Sequence, residues 1–180
     1  MAMQTLGGTA LKRFHRGFRR AHIAEHTISV VLQSVQYAMN VGSIFRICDA
    51  VQVESLILTG ITPTPENETV LKVGRGKDRT VPWRYEAEAT KPLAELKAEG
   101  HRVFALEITE NAQPYYRVKW PDKVCLVAGH EDHGITRSTL LQCDDAVFVP
   151  MWGKGLSLNV HVALAVVLFH IRYLELRGEV

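Results

Sequence analysis

Five short runs of apolar and β-branched residues, separated by helical patterns, place the strongest limits on the fold of this chain. The runs cover residues 28–32, 55–59, 102–106, 124–128 and 146–149. Strands that are apolar without alternation indicate a sheet covered on both faces. Helical patterns cover residues 41–53, 91–99, 136–142 and 157–177. This alternation predicts an α/β fold, with a mostly parallel sheet flanked by helices.

The length and composition agree with one globular domain that needs no disulfide or metal to fold. The chain has 180 residues, of which 47% are apolar and 22% are charged, and a domain of this size buries about 70% of its unfolded surface. The three cysteines, Cys48, Cys125 and Cys143, form no pairwise motif, so we expect buried thiols in a reducing compartment. The sequence predicts neither a signal peptide nor a membrane span, so we expect a cytoplasmic protein without membrane attachment.

Positive charge is concentrated near the start of the sequence. Residues 1–27 hold five basic side chains and one acidic side chain, a net charge of +4, whereas the whole chain carries +2. The basic residues are Lys12, Arg13, Arg16, Arg19 and Arg20. We therefore divide the chain into a basic N-terminal arm, residues 1–27, and a main domain, residues 28–180. Such an arm is typical of a nucleic-acid-binding protein, although a solvated tail has the same composition.

The last helical pattern, residues 157–177, is apolar on nearly every side. A small sheet can cover only one side of such a helix. We therefore predict that a second copy of the chain covers the other side, in a homodimer. Ser157 is the expected N-cap of this helix, and Gly178 is the expected stop.

The common cofactor and metal motifs do not explain this sequence. No GxGxxG follows the first predicted strand, and no GxxxxGK[ST] loop is present. His130 and His133 flank two carboxylates, but no third ligand follows at a spacing that metal sites use. We therefore predict a site without a metal.

Three glycine-containing clusters follow predicted strands, at the edge where open α/β sheets bind ligands. The first runs from Asn40 to Arg46, the second from residue 126 to residue 135, and the third from residue 149 to residue 160. Asn40 can cap a helix, whereas Asn159 places an amide on an apolar helix and needs partners if it is buried. Taken singly, each cluster also fits an ordinary cap or a tight turn.

In this order and spacing, the clusters resemble the three motifs of the SpoU/TrmH family of RNA ribose 2′-O-methyltransferases, in the SPOUT superfamily. The motif forms are N-x-G-x-x-x-R, G-x-E-x-x-G and (I/V)-P-M-x-G-x-x-x-S-L-N-V, and all three are present. Residues 72–76 also look like a glycine-bearing segment of that family. The resemblance covers residues 28–176, nearly the whole chain.

The resemblance implies an enzyme that binds S-adenosylmethionine in a C-terminal trefoil knot, acts as a homodimer and methylates a ribose 2′-hydroxyl of tRNA or rRNA. Two alternatives stay open: a catalytically silent SPOUT-like RNA-binding module and an RNA base methyltransferase. The basic arm is the expected auxiliary RNA contact, because its charges add affinity without sequence specificity.

The resemblance also assigns site residues by their position in the motifs. The expected cofactor pocket is lined, largely through backbone groups, by Leu106, Gly129, Val149, Met151 and Leu158. The expected catalytic set is Arg46, Asn40, Glu131, Ser157 and Asn159. A guanidinium stays protonated at ordinary pH, so clamping a phosphate or stabilising an alkoxide suits Arg46 better than acting as a base.

The other motif positions carry more general expectations. Asn40 and Glu131 should shape the site and position Arg46. Ser157 and Asn159 should orient the nucleotide or the cofactor loop. Two residues depart from the usual motif forms: His130 in the second motif and Lys154 in the third, where they can contact RNA or alter the edge of the pocket.

Overall fold

One sheet of seven strands, all paired in parallel, forms the centre of the computed structural model, which describes residues 3–178. The strands are β1 (Thr27–Gln33), β2 (Ser55–Thr59), β3 (Trp83–Glu86), β4 (Arg102–Leu106), β5 (Gln113–Pro114), β6 (Lys123–Ala128) and β7 (Asp145–Phe148). Their order across the sheet is β3-β2-β1-β6-β4-β7-β5. The predicted parallel architecture is confirmed, and two edge strands, β3 and β5, add to the five expected. Residues 1–2 of the predicted basic arm and residues 179–180 of the predicted main domain lie outside the described residues.

The central strand β1 is buried on both faces. It pairs with β2 through Ser29 opposite Ser55, and with β6 through Ile28 opposite Val124. Residues 28–32 are all inaccessible to solvent, and successive side chains belong to separate cores on the two faces of the sheet. The uninterrupted apolar sequence of this strand follows from that double covering.

Six helices in the described part of the chain accompany the sheet. They are α1 (Gly8–Ala21), α2 (Ala38–Val51), α3 (Glu68–Gly74), α4 (Thr90–Ala98), α5 (Arg137–Leu140) and α6 (Val160–Arg177). Phe45 of α2 and Leu168 of α6 belong to the core on one face, whereas Leu93 and Leu96 of α4 belong to the core on the other. The four predicted helices are thus confirmed with shifted ends.

The patterns predict neither α1 nor α3. The first lies within the predicted arm and buries none of its residues. The second has only seven residues. Its start is fixed by Asn67, whose Oδ1 accepts hydrogen bonds from the backbone N–H groups of Thr69 (2.9 Å) and Val70 (3.4 Å). A helix this short depends on its cap and its packing more than on its composition.

A partly buried ionic network joins the end of α6 to the start of β1 and the end of α2. Arg172 donates hydrogen bonds to the backbone oxygens of Val51 (2.8 Å) and Gln52 (3.1 Å). It also pairs with Glu175, which accepts hydrogen bonds from the backbone N–H (2.7 Å) and Nδ1 (2.8 Å) of His26. Arg172 therefore satisfies carbonyls that the last turn of α2 leaves free.

The cysteines are reduced and largely enclosed. Cys48 and Cys125 are buried, as expected, and burial raises the pKa of both thiols. Cys143 is only partly buried; desolvation raises the pKa of its thiol to about 11. Between residues 3 and 178, no helix combines the length and apolar character needed to cross a membrane.

Candidate functional site

A cavity of about 660 Å³ opens at the carboxyl edge of β4, β6 and β7. Its lining includes every residue predicted for catalysis or cofactor binding except Arg46; these are Asn40, Glu131, Ser157, Asn159, Leu106, Gly129, Val149, Met151 and Leu158. Tyr37 and Glu107 also line the cavity, and the sequence analysis missed both. The volume is typical of a site for a small organic molecule.

The charged residues that line the cavity are acidic. Glu107, Glu131 and Asp132 contribute carboxylates, and the lining contains no lysine or arginine. The rest of the wall is largely apolar or backbone. Such a site favours a ligand with positive charge and disfavours a phosphate group.

Glu131 fixes the start of α2. Its carboxylate accepts hydrogen bonds from the backbone N–H groups of Gln36 (2.9 Å) and Tyr37 (3.2 Å) and from Nδ2 of Asn40 (2.6 Å). Partial burial alone would raise the pKa of Glu131, but these hydrogen bonds outweigh it and hold that pKa below its ordinary value. An ionised carboxylate at this position also interacts favourably with the helix dipole.

Asn40 therefore does not cap α2, contrary to the expectation. The helix begins at Ala38 with Tyr37 at the N-cap position, and no Tyr37 side-chain hydrogen bond caps it. Asn40 lies inside the first turn and is buried, so its amide binds Glu131 instead of the turn. The carboxylate that holds the start of this helix, Glu131, comes from a distant part of the sequence.

His161 completes this polar chain. Its Nδ1 lies 3.0 Å from Oδ1 of Asn40. Because an ionised Glu131 can only accept, the amide nitrogen of Asn40 faces it and the amide oxygen faces His161, so Nδ1 of His161 carries a proton. The sequence analysis did not select His161, although a histidine directly after the third motif in an apolar helix was a usable signal.

Backbone pairing and two glycines, Gly129 and Gly134, give the loop of the second motif its shape. Backbone hydrogen bonds join His130 and Gly134 in both directions, at 3.1 and 2.8 Å. A Cβ on Gly129 would lie 2.4 Å from the carbonyl carbon of Gly134, which no other residue type tolerates without moving backbone. Glu107 holds the same loop from β4, because its Oε2 accepts a hydrogen bond from the backbone N–H of Ile135 (3.2 Å).

The two histidines of this loop stack on each other at the edge of the cavity. The ring centroids of His130 and His133 are 4.6 Å apart, and Nδ1 of His130 accepts a hydrogen bond from the backbone N–H of Asp132 (3.0 Å). Within residues 3–178, no group of three His, Cys, Asp or Glu side chains is arranged to hold a metal ion.

The third motif forms an exposed loop rather than the start of a helix. Helix α6 begins at Val160, and its N-cap is Asn159, so the expected Ser157 cap is wrong. Asn159 is also exposed, not buried as its place on an apolar helix suggested. The helix starts later because residues 156–159 follow the cavity wall before they turn. The predicted stop is confirmed, since Gly178 takes the left-handed conformation (φ +64°).

Arg46 lies away from the cavity. It is exposed on α2, six residues after Asn40, which corresponds to about 9 Å along the helix axis. No hydrogen bond or ion pair joins its side chain to another residue between positions 3 and 178. Asn40 and Glu131 thus act on the helix that carries Arg46, not on its guanidinium.

The five basic residues of the predicted arm lie on α1. They are Lys12, Arg13, Arg16, Arg19 and Arg20, all of them exposed. The same helix exposes the apolar side chains Leu11, Phe14 and Phe18, which are spaced at i, i+3 and i+7 and therefore share one face. Helix α1 is consequently amphipathic and cationic. Its role as an auxiliary RNA contact stays a prediction.

The fold and the cavity together define a class: an all-parallel α/β protein with a cavity of small-ligand size at the carboxyl ends of three neighbouring strands. Comparison with known proteins makes this specific. The chain belongs to the SpoU rRNA Methylase family, whose model matches residues 27–169. The resemblance predicted from the three motifs is therefore confirmed.

Two curated relatives illustrate the similarity. The chain is 31% identical over 151 residues to the tRNA (guanosine(18)-2′-O)-methyltransferase of Thermus thermophilus, and the match covers 84% of this chain and 77% of the relative. It is 29% identical over 143 residues to the 23S rRNA (guanosine(2553)-2′-O)-methyltransferase RlmP of Bacillus subtilis, covering 79% of this chain. The match spans only 57% of the Bacillus protein's own length.

A solved structure shares the fold. The SpoU methyltransferase AviRb from Streptomyces viridochromogenes, crystallised in complex with AdoMet, matches with a TM-score of 0.79 at 20% identity. The match covers 88% of this chain and 64% of that protein.

Proposed function

We propose that this protein transfers a methyl group from S-adenosylmethionine to a ribose 2′-hydroxyl of tRNA or rRNA. The observation that carries the proposal is the cavity at the edge of β4, β6 and β7, where polar residues from all three motifs converge on a site of cofactor size. The relatives named as tRNA and rRNA 2′-O-methyltransferases support the choice of RNA and ribose.

The residues of the cavity fit this cofactor. The sulfonium of bound S-adenosylmethionine supplies an activated methyl group, so no metal is needed. Leu106, Val149 and Leu158 provide apolar surface for an aromatic base, while the carboxylates of Glu107 and Glu131 suit the positive charges of the cofactor. Residues of the trefoil knot that the family fold implies would enclose it and exclude water.

In this proposal the polar motif residues orient the substrate. Ser157 and Asn159, exposed at the mouth of the cavity, position the ribose so that its 2′-oxygen lies in line with the methyl group. Arg46 clamps the phosphate beside that ribose, since its charge lies outside an acidic cavity and lacks a partner in the described chain. Glu131 sets the direction of the helix that carries it.

The proposed homodimer rests on apolar surface that this chain leaves uncovered. On α6, Val162 is 39% exposed and Phe169 and Tyr173 are each 51% exposed. The adjoining loop of the third motif exposes Trp152 (91%) and Leu156 (90%). A second copy would bury both surfaces. Light scattering should give twice the chain mass, and Phe169→Asp should yield monomer or aggregate.

Helix α1, the structured part of the basic arm, is proposed as an auxiliary RNA contact in the cytoplasm. Its five cations suit a phosphate backbone, and Phe14 and Phe18 can stack on unpaired bases. Deleting the first 25 residues should weaken RNA binding and flatten its salt dependence, with cofactor binding unchanged. A salt slope equal to that of the full chain would contradict this role.

The decisive experiment incubates the purified protein with radiolabelled S-adenosylmethionine and total RNA, followed by alkaline hydrolysis. Ribose 2′-O-methylation blocks cleavage, so the label should appear in alkali-resistant dinucleotides. Arg46→Ala should lower this incorporation by a factor of about 100 or more without changing cofactor affinity. Lys119→Ala, which removes an exposed cation outside the cavity lining, is the matched control.

The same experiment separates the alternatives. Label that alkali releases as mononucleotides would indicate methylation of a base. Binding of cofactor and RNA without incorporation would indicate a silent binding module. Mapping the methylated nucleotide in cells with and without the protein then identifies the substrate.

A further inference from the structure

A second group of cationic side chains lies outside the cavity, on α3 and the turn that follows it. Lys72 and Arg75 are exposed, and neither side chain has a hydrogen bond or ion-pair partner among residues 3–178. Lys72 lies in the last turn of α3 and Arg75 directly follows the end of that helix, so the two residues are three positions apart in the chain. Because the cavity lining is acidic, RNA phosphates must be held elsewhere, and this surface is a candidate.

Close packing fixes α3 against α2. A Cβ on Gly42 would lie 2.7 Å from Cβ of Val73 and 3.0 Å from the backbone oxygen of Val70. Gly74 in turn lies against the backbone of Gly42 and Cβ of Phe45. The two glycines therefore let the helices approach with little space between them.

A second anchor lies two turns further along α2. The carboxylate of Asp49 binds Nζ of Lys77 (2.7 Å) and accepts a hydrogen bond from Oγ1 of Thr80 (2.6 Å). Arg46 lies between Gly42 and Asp49 on the same side of α2, at spacings of four and three residues. The chain between the two anchors, which includes Arg75, must therefore pass alongside Arg46.

Arg75 adopts a backbone conformation that favours glycine. It terminates α3 with φ 51° and ψ 43°, in the left-handed region. A residue with a Cβ is strained there relative to glycine. Strain at an exposed arginine without a structural partner suggests that its side chain serves a ligand.

The charge of this surface continues toward α1. Burial alone would raise the pKa of Asp49, but hydrogen bonds from Lys77 and Thr80 and the charges of Lys77 and Arg19 hold it below its ordinary value. Arg19 therefore lies near the anchor formed by Asp49. Arg19 of α1 and the cations beside Arg46 therefore border the same region of the molecule.

We propose that Arg46, Lys72 and Arg75, here named the α2–α3 strip, bind the sugar-phosphate backbone of the RNA strand next to the methylated nucleotide. The strip deepens the proposed function and rests on it for the identity of the ligand. It places the phosphates outside the acidic cavity, so that only the target nucleotide approaches the cofactor. Contacts of this kind supply affinity and orientation but no base specificity.

The test uses the double variant Lys72→Ala/Arg75→Gly and a fluorescent RNA stem-loop, with binding measured by anisotropy at several salt concentrations. Two lost phosphate contacts should make the plot of log affinity against log salt shallower by about 1.4, on the order of 0.7 per contact for a single strand. Affinity at about 0.1 M salt should fall by about tenfold. Arg75→Lys should retain most of the wild-type slope.

Folding and cofactor binding provide the readouts that separate binding from structure. Glycine relieves the strained backbone at position 75, so the thermal midpoint of the double variant should equal or exceed that of the wild type. S-adenosylmethionine affinity, measured by calorimetry, should not change. Lys119→Ala, which removes an exposed cation before the start of β6, should leave the salt slope as it is.

An unchanged salt slope and RNA affinity in the double variant would overturn the proposed role of the α2–α3 strip. A thermal midpoint lowered enough to explain the weaker RNA binding would overturn it too. Absence of RNA binding by the wild type would overturn it as well. If label transfer proceeds normally while the slope is unchanged, the strip fails and the proposed methyltransferase function stands. If the slope changes as expected but neither the wild type nor any variant transfers label, the strip stands as an RNA contact and the proposed methyltransferase function fails.

Discussion

The substitution Glu131→Gln tests whether one carboxylate holds the start of α2. Glutamine keeps the size of the side chain but removes its charge, and it presents an amide N–H₂ where Glu131 accepts three hydrogen bonds. At least one donor among the backbone N–H groups of Gln36 and Tyr37 and the amide of Asn40 then loses its acceptor. We expect the variant to fold with a loosened first turn of α2.

The magnitude follows from these contacts. A hydrogen bond to a charged group contributes about 1.5–3 kcal/mol and a neutral one about 0.5–1.5 kcal/mol, and the charge at the helix start adds about 0.3–1 kcal/mol. Water reaches this partly exposed site and offsets part of the loss. We expect the free energy of unfolding to fall by about 2 kcal/mol, which lowers Tm by about 4–8 °C in a chain of this size.

The pH dependence gives an independent check. The pKa of Glu131 is lowered in the folded protein, so its contribution is complete above its unfolded pKa of about 4.3 and is lost as pH falls through the folded value. Urea unfolding should therefore show the full difference between wild type and variant at pH 7. That difference should shrink at about pH 3.5.

The control is Asp132→Asn, which removes the same charge from the next residue. The Asp132 carboxylate is exposed and has no partner in residues 3–178, so this change should stay within about 0.5 kcal/mol. Equal destabilisation by the two substitutions would refute the reasoning. A Glu131→Gln effect that persists unchanged in acid would do the same.

Three further substitutions or reagents test other parts of the structure. Gly42→Ala places a methyl group 2.7 Å from Cβ of Val73, so denaturation should show a loss of about 2 kcal/mol from overpacking between α2 and α3. Arg172→Met removes the donor to the Gln52 carbonyl and the arginine that pairs with the partly buried Glu175 carboxylate, which should cost about 3 kcal/mol. With its pKa raised to about 11, Cys143 should react with a thiol reagent at pH 8 about a hundredfold more slowly than free cysteine, and the rate should increase with pH.

The sequence predicted the parts of the fold that local pattern determines. The bounds of β2 and β4 agree with the predicted runs, because both strands are short, apolar and buried. The edge strands β3 and β5 were missed because each has a neighbour on one side only and carries residues that pattern rules discount, such as Pro114 in β5.

The sequence predicted which motif residues line the candidate site, but not the hydrogen bonds that join them. The motif residues that line the cavity were selected from sequence, yet the cap on α2 was assigned to Asn40. Glu131, the carboxylate that holds the start of α2, lies 91 residues from Asn40 in the chain, and only the fold brings the two together. His161 and Glu107 were missed for the same reason, since their roles depend on partners in other elements.

Helix α2 also has a mechanical consequence. It is held at its first turn by Glu131, along one side by α3 and at its end by Arg172, and Arg46 lies about 9 Å from Asn40 along its axis. A tilt of about 10° about its first turn would move the backbone of Arg46 by about 1.6 Å, and a misplacement of about 1 Å can slow an aligned transfer about a hundredfold. The position of the guanidinium therefore depends on the contacts at the start of the helix as well as on those along it, and a change at Glu131 can reach Arg46 without altering any atom of the arginine.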